Sequence, residues 1–354
     1  MTNLASSFGA NPAPQMFVAK YADDQWDSGK IQAFSDLVLS PFAMCFHYGQ
    51  TVFEGLKVFR TADNQVTIFR EKDNYLRINK SLERMAMPTI PSYLWENGVV
   101  ELTHKVKDYV PAFREGTLYL RPFVIATQPK LGVEISNEYL FIVAACPVSS
   151  YYSKPLRVKV EKHFTRAAPG GAGYAKCGGN YGSAYYPFKR AKEAGFDQIL
   201  WTDACKHEFF EESGTMNYGF IIDNTFITSP ASDTVLDGIT RKSVMQLAKD
   251  LQMQVEERPF SVTELRTAFS ENKKVEAFGL GTAAVLAPFE SISIDDVNFP
   301  CYHAQDATML KLKKLLLAIQ IGEREDKYHW NTLVSFSHLH SERQKNNTST
   351  SIGF

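Results

Sequence analysis

The chain has 354 residues, 44% of them hydrophobic and 22% charged, the composition of a folded globular protein and not of a collagen-like or disordered one. At roughly 150 residues per domain there is room for two domains, each with its own core. Lys and Arg number 38 against 39 Asp and Glu, a net charge of -1, so no overall field draws the protein to nucleic acid or to an anionic membrane, and any anion site must be built locally. The five cysteines (Cys45, Cys146, Cys177, Cys205 and Cys301) form no CxxC redox or zinc motif, which fits a reducing compartment. Residues 1–16 lack the basic start and apolar stretch of a secretion signal, and the longest apolar runs, such as LFIVAACPV from Leu140, are too short for a membrane span. A cytoplasmic protein is expected, and without secretion the sequons at Asn346 and Asn347 carry no meaning.

In chain order, QVTIF (65–69) alternates like a hairpin strand after the turn-like TADN, and KDNYLRINKSLERMAM reads as a helix stopped by Pro88. GTLYLRPFVIAT from Gly116 and EYLFIVAACPV from Glu138 read as strands of one sheet. The stretch CPVSSYYSKP (146–155) breaks both periodicities, which divides the chain into a small domain (1–146), an interdomain loop (147–155) and a larger domain (156–340). There LRVKVEKHF alternates, the glycine-rich PGGAGYAKCGGNYG follows, and then come the strands DQILWTD and NYGFIID, the latter turning at Asp223 and Asn224 into TFITSP. Residues 239–251 form an amphipathic helix, and Ser261 with Glu264 makes a capping box for the next one. KVEAF is a strand running into the turn GLGTAA, and Ala307–Ile321 is the last helix before a polar tail (341–354) expected to be disordered. No repeat or heptad pattern is present.

Several groups can carry chemistry. Lys176 lies between small residues that let backbone or a planar ligand come close, and a poorly solvated amine there is a nucleophile able to form a Schiff base; a solvated loop lysine is the other reading. Glu211 and Glu212 follow two phenylalanines, and in a strand their carboxylates face opposite sides, so one can be buried and hold a proton on a heterocyclic nitrogen while the other stays wet. Two solvated carboxylates at a strand end are the plainer alternative. Gly238, Ile239 and Thr240 open a helix and so offer free amides and a positive dipole end to an anion. Gly279 to Ala283 form a second such turn; with Ala284 it also fits the GxGxxA dinucleotide fingerprint, but Pro288 follows too soon for the required helix. Arg77 lies on the first helix, where it can serve an anion or simply pair with Asp73. Tyr119 and Arg121 share one strand face opposite Leu118 and Leu120, and facing inward they would need an anionic partner. His338 and His340 are too few for a metal site, and no metal is expected.

Together, HYGQTVFEGLKVF (from His47), DNYLRI, LYLRP, LGV (131–133), KCGGNYG, EESGTMN and GLGTA, in that order from about Phe46 to Trp330, resemble the branched-chain amino acid aminotransferases. These are pyridoxal-phosphate enzymes of fold type IV, with a small α/β domain and a larger domain built on a pseudo-barrel sheet, an α/β (α+β) architecture. The resemblance implies transamination between L-leucine, L-isoleucine or L-valine and 2-oxoglutarate, with pyridoxal 5'-phosphate at the domain interface. Lys176 would form the Schiff base, Glu212 would pair with the pyridine nitrogen, and Tyr181 would hydrogen-bond the phenolic oxygen. Arg77, the amides of Ile239 and Thr240, and Thr282 would hold the phosphate. For substrate it implies Tyr48, Phe53, Tyr119 and Arg121 around the side chain, Gly55 for close approach, and the amides of Thr282 and Ala283 at the α-carboxylate. It also implies a homodimer in which Tyr48 and Val133 reach the neighbour's site. Alanines 284 and 287 stand where mammalian members carry a redox CxxC, so no thiol switch is expected there. D-amino acid aminotransferase and aminodeoxychorismate lyase share the lysine and glutamate but not the full pattern. A dinucleotide-dependent oxidoreductase and a non-catalytic binding protein are the competing readings from other classes.

Overall fold

The computed structural model describes residues 8–149 and 154–334. Tyr151 and Tyr152 of the expected interdomain loop, His338 and His340, the sequons and the tail from Ser341 lie outside the described residues. Two nine-stranded sheets organise the chain. The first runs, edge to edge, through Asn331–Leu333, Val66–Phe69, Leu56–Arg60, Thr117–Ala126, Tyr139–Val148, Gln15–Ala22 and Gln25–Trp26; Lys30–Ala33 also pairs with Gln15–Ala22, and Thr51–Phe53 with Thr117–Ala126. All of its pairings are antiparallel. The two strands expected from Gly116 and Glu138 pair along their whole length, from Thr117 opposite Val148 to Ala126 opposite Tyr139.

The helix Glu71–Arg84 buries Ile78 and Leu82 against this sheet. It ends where Ala86 takes a left-handed φ of 51°, two residues before Pro88. A second helical layer went unread in the sequence: Ser92–Trp95, a π-helical turn over Glu96–Glu101 and Leu102–Lys105 follow one another without a break and bury Leu94, Val99 and Leu102 in the same core.

The second sheet runs Phe210–Ser213, Gln198–Thr202, Leu156–Glu161, Val285–Ile294, Val275–Gly281, Asn217–Ile222, Thr225–Thr228 and Gln254–Glu257, with Val297–Pro300 paired to Val285–Ile294. It mixes parallel pairs, such as Leu156–Glu161 with Gln198–Thr202, with antiparallel ones. Asp223 and Asn224 both take φ near +55° (50° and 60°), the conformation that lets a two-residue hairpin match strand twist. Helix Val262–Ser270 carries the expected capping box, Ser261 accepting from the Glu264 amide while Glu264 accepts from the Ser261 amide.

Topology bears on two further readings. Strand Val275–Gly281 absorbs both glycines of GLG and returns antiparallel as Val285–Ile294, so no helix follows and the dinucleotide fingerprint has no βα unit to stand on. The chain's last described strand, Asn331–Leu333, leaves the expected 156–340 unit and pairs with Val66–Phe69 at the edge of the first sheet. Arg70 fixes that return: its amide donates to the Trp330 carbonyl at 2.6 Å and its guanidinium lies 5.1 Å from the Trp330 ring centroid.

Candidate active site

A cavity of about 690 Å³ opens between the sheets, and Lys176 projects into it. The reason is local. Ala175 and Cys177, on either side, are buried in the core of the first sheet, so the residue between them faces the other way. The loop is stitched to strand Thr51–Phe53: the Phe53 amide donates to the Lys176 carbonyl at 3.0 Å and the Gly178 amide to the Thr51 carbonyl at 3.1 Å. Ser81 of the first helix accepts from the Lys176 amide at 3.0 Å. Lys176 Nζ donates to the Tyr181 hydroxyl at 2.9 Å and stands 4.9 Å from the Phe53 ring centroid. The solvated-loop reading of this lysine is therefore set aside.

The expectation that one of Glu211 and Glu212 stays wet is wrong: both are buried. Strand Phe210–Ser213 is covered on both faces, because loop 232–236 closes over the side a solvated edge would expose. Glu212 accepts from the Leu236 amide at 2.7 Å and from Asn217 Nδ2 at 3.4 Å, and it forms an ion pair with Arg166 at 3.3 Å. Burial pushes its carboxyl above the ordinary range against the pull of Arg166. Glu211 turns the other way and accepts from Thr234 Oγ1 at 2.6 Å, with its second oxygen unpartnered. Of the two, only Glu212 lines the cavity.

Helix Ile239–Asp250 begins at Gly238 with no side-chain cap, and Gly238, Ile239 and Thr240 line the cavity. Its first amides are therefore available to an anion. A Cβ on residue 238 would stand 1.7 Å from Asn217 Oδ1, so only glycine fits. Across the cleft, Thr282 and Ala283 present the reversal between the two long strands. Arg77 also lines the cavity, but Asp73 is not its partner; Asp73 pairs with Arg70. The guanidinium of Arg77 is held by Glu54, which is fully buried and accepts at 2.7 and 2.9 Å, while its third nitrogen donates to the Asp237 carbonyl at 3.1 Å.

Tyr119 and Arg121 face inward. The strand face they share is half-buried, with Tyr119 fully so, and both side chains line the cavity, so the outward-polar alternative fails. Arg121 sits 5.0 Å from the Phe53 ring centroid and 5.4 Å from that of Tyr119, has no acid within ion-pair distance among the described residues, and leaves its Nε unpartnered. Gly55 makes room for the Tyr119 hydroxyl, which would lie 1.9 Å from a Cβ there. Tyr48 and Val133 do not line this chain's cavity. Tyr48 donates to the Leu131 carbonyl, and Val133 is 87% exposed.

Four residues of the site escaped the sequence reading. Phe8 lines the cavity and packs edge-on against Tyr119 at 5.1 Å, although the sequence around it carries no periodicity. Arg166 and Glu54 act only through partners 46 and 23 residues away, which spacing does not reveal. Lys57, buried on strand Leu56–Arg60, reads in sequence as an ordinary polar strand residue.

The comparisons agree with this geometry. Residues 51–292 match the family model described as amino-transferase class IV. Branched-chain-amino-acid transaminase 1 of Bacillus subtilis (strain 168) is 38% identical over 333 residues, covering 92% of this chain and 94% of its own. Branched-chain-amino-acid aminotransferase 2 of the same strain is 38% identical over 334 residues, covering 93% and 92%. The T.th. branched-chain amino acid aminotransferase, solved with N-(5'-phosphopyridoxyl)-L-glutamate, superposes with a TM-score of 0.75 at 26% identity, covering 91% of this chain and 99% of that one. A match of this extent, on a fold whose cavity gathers the lysine, the buried glutamate and the open helix terminus, leaves one assignment: the chain belongs to the class IV aminotransferase family, among its branched-chain amino acid members.

Proposed function

We propose that this aminotransferase moves the amino group between L-leucine, L-isoleucine or L-valine and 2-oxoglutarate, with pyridoxal 5'-phosphate in the cavity. The observation that carries the proposal is the convergence of an amine, a phenol, a buried carboxylate and an uncapped helix terminus on one cleft. The donor set suits the cofactor. Glu212 is a buried carboxyl aimed into the cleft that a protonated ring nitrogen would complete as counter-charge; Tyr181, already bonded to Lys176, suits the phenolic oxygen. The Ile239 and Thr240 amides, Thr282 and the Glu54-anchored Arg77 would hold the phosphate. When bound, the cofactor supplies a sink for the electrons of the substrate's Cα–H bond. Lys176 Nζ would hold the cofactor and, once free, would carry the proton lost from the substrate's Cα, with Tyr181 orienting the amine.

Phe53 and Tyr119 can bury a branched side chain, worth about 1.5–3 kcal/mol, with Gly55 giving the space, while Arg121, without an ion-paired acid among the described residues, suits the distal carboxylate of glutamate. The amides of Thr282 and Ala283 suit the α-carboxylate. Two segments, 34–48 and 131–135, expose Phe42, Phe46, Leu131 and Val133 together, and Val38 at 98%. Exposed apolar side chains on two segments that are bonded to each other, the Lys130 amide to the Phe42 carbonyl and Tyr48 to the Leu131 carbonyl, support a homodimer, Tyr48 and Val133 completing the neighbour's site. The division at 147–155 and a cytoplasmic setting belong to the same proposal. In its support, the cysteines are unpaired, and no helix among the described residues is long and apolar enough to cross a membrane.

The test is an absorption spectrum of the purified protein with and without L-leucine, beside turnover with L-leucine, D-alanine and aminodeoxychorismate. A visible cofactor band that L-leucine alone shifts and consumes is expected. Turnover of either other substrate in preference to L-leucine overturns the substrate assignment, and an active monomer in sedimentation overturns the shared site.

A further inference from the structure

Lys57 is a buried cation that none of the chemistry above uses. It is 8% exposed, and no carboxylate lies within ion-pair distance of it among the described residues. Its polar contact crosses between the sheets: Nζ donates to the Ala283 carbonyl at 2.9 Å. Lys57 stands two residues beyond Gly55, on the same strand face, and directly opposite Tyr119 in register. It therefore stands beside Tyr119, which lines the cleft, and behind the 282–284 turn. The reversal it grips is strained. The chain turns back within residues 282–284, and Val285 takes a left-handed φ of 61°, a conformation that β-branched residues rarely adopt and that persists only where surroundings enforce it.

A buried ammonium bonded to one carbonyl is costly, and an apolar side chain of similar length would fill the same space without that cost. The charge thus lacks an anion, and the turn it holds is the one whose amides face the substrate's α-carboxylate in the function proposed above. We propose that Lys57 is a positioning residue for substrate binding. It fixes the 282–284 turn through the Ala283 carbonyl and places a positive charge behind it, so that the Thr282 and Ala283 amides meet an α-carboxylate in a set orientation. Burial brings the Lys57 ammonium down to about 8, with Lys313 adding repulsion, which fits a cation awaiting an anion. The inference rests on the proposed site for the α-carboxylate.

The experiment compares the cofactor-loaded enzyme with Lys57→Met and Lys57→Arg. It measures KM and kcat for leucine and for glutamate, calorimetric binding of 4-methylvalerate as a branched carboxylate lacking the amine, and amide exchange of residues 281–285. Lys57→Met should raise KM for leucine and glutamate alike, and Kd for 4-methylvalerate, by at least tenfold, with kcat within threefold and faster exchange at the turn. Lys57→Arg should recover most of the affinity. Unchanged affinities in Lys57→Met overturn the proposal, as does a loss confined to kcat or to glutamate. In the unaltered enzyme, 4-methylvalerate should slow exchange at 282–285. If it does not, the carboxylate site itself is misplaced and the underlying reading fails, whereas protection there with an unaffected Lys57→Met removes Lys57 alone. Should Lys57→Met not fold, Lys57→Arg still decides: an affinity loss beyond tenfold without change at the turn overturns the positioning role.

Discussion

Replacing Arg166 with methionine should disable the enzyme through Glu212, a residue it holds but does not resemble in role. The Arg166 and Glu212 side chains are 7% and 4% exposed, with 3.3 Å between Nε and the carboxylate. At that distance and an effective dielectric of about 20, two unit charges attract by about 5 kcal/mol, which favours the ionised carboxylate. Burial already pushes Glu212 up and Arg166 is the largest opposing influence. The Leu236 and Asn217 donors survive the substitution, so the full Coulomb figure is an upper bound. Without Arg166, burial acts on Glu212 with less opposition and shifts it toward the neutral form, and a neutral carboxyl cannot keep a ring nitrogen protonated. Arg166→Met should therefore retain cofactor, whose phosphate end it does not touch, yet lose at least about a hundredfold in kcat/KM for leucine, roughly 2.7 kcal/mol. The decisive assay is a double-mutant cycle with Glu212→Gln, which should lose as much by itself. If Arg166 acts through Glu212, adding Arg166→Met to Glu212→Gln costs less than about threefold more. Losses that multiply would show that Arg166 acts instead by tethering the Gly173 and Thr234 carbonyls it also reaches. A single Arg166→Met variant within threefold of the parent would refute the electrostatic argument outright.

Lys176→Ala should abolish turnover while the cofactor stays bound without a covalent link, so borohydride no longer fixes it to protein; continued labelling would assign the amine to another lysine. Arg121→Met should lower kcat/KM for glutamate at least about tenfold more than for leucine, a difference of roughly 1.4 kcal/mol, because its guanidinium has no other acid to answer; equal losses would make it a general anchor. Glu211→Gln should leave activity within about threefold. Its effect on stability is pH-dependent: burial raises the Glu211 carboxyl above 4.5, so the folded state carries a penalty that is absent below 4.5 and sets in as pH rises through the folded value. The variant's melting temperature should exceed the parent's at pH 7 to 8 and converge with it toward pH 4.5, and a constant offset would count against a titrating Glu211.

The local elements could be read directly because their signals are local. The capping box of Ser261 and Glu264, the Asp223-Asn224 hairpin and the alternation from Gly116 each rest on residues within a few positions of one another. The family was legible for a different reason: seven short motifs in order are too specific to arise otherwise, even though each residue alone had an equally good bland reading, and most of the residues they named gather on one cleft. What the motifs did not reveal is which residues act through others. Arg166 reaches Glu212 across 46 positions, Glu54 reaches Arg77 across 23, and Lys57 reaches Ala283 across 226. Alternation said that Glu211 and Glu212 diverge, which they do, but not that both faces are covered; that depends on loop 232–236 packing over the strand. Nor does helical periodicity over residues 71–84 say whether Arg77 turns to Asp73 or to Glu54. Periodicity and capping are properties of neighbours along the chain, so sequence alone determined many of the elements, though not the helical layer over 92–105, and, through its motifs, the family. Burial and charge pairing are properties of neighbours in space. Only the packing of one sheet against the other decided which carboxylate faces the cleft, what holds Arg77, and that Lys57 stands behind the 282–284 turn.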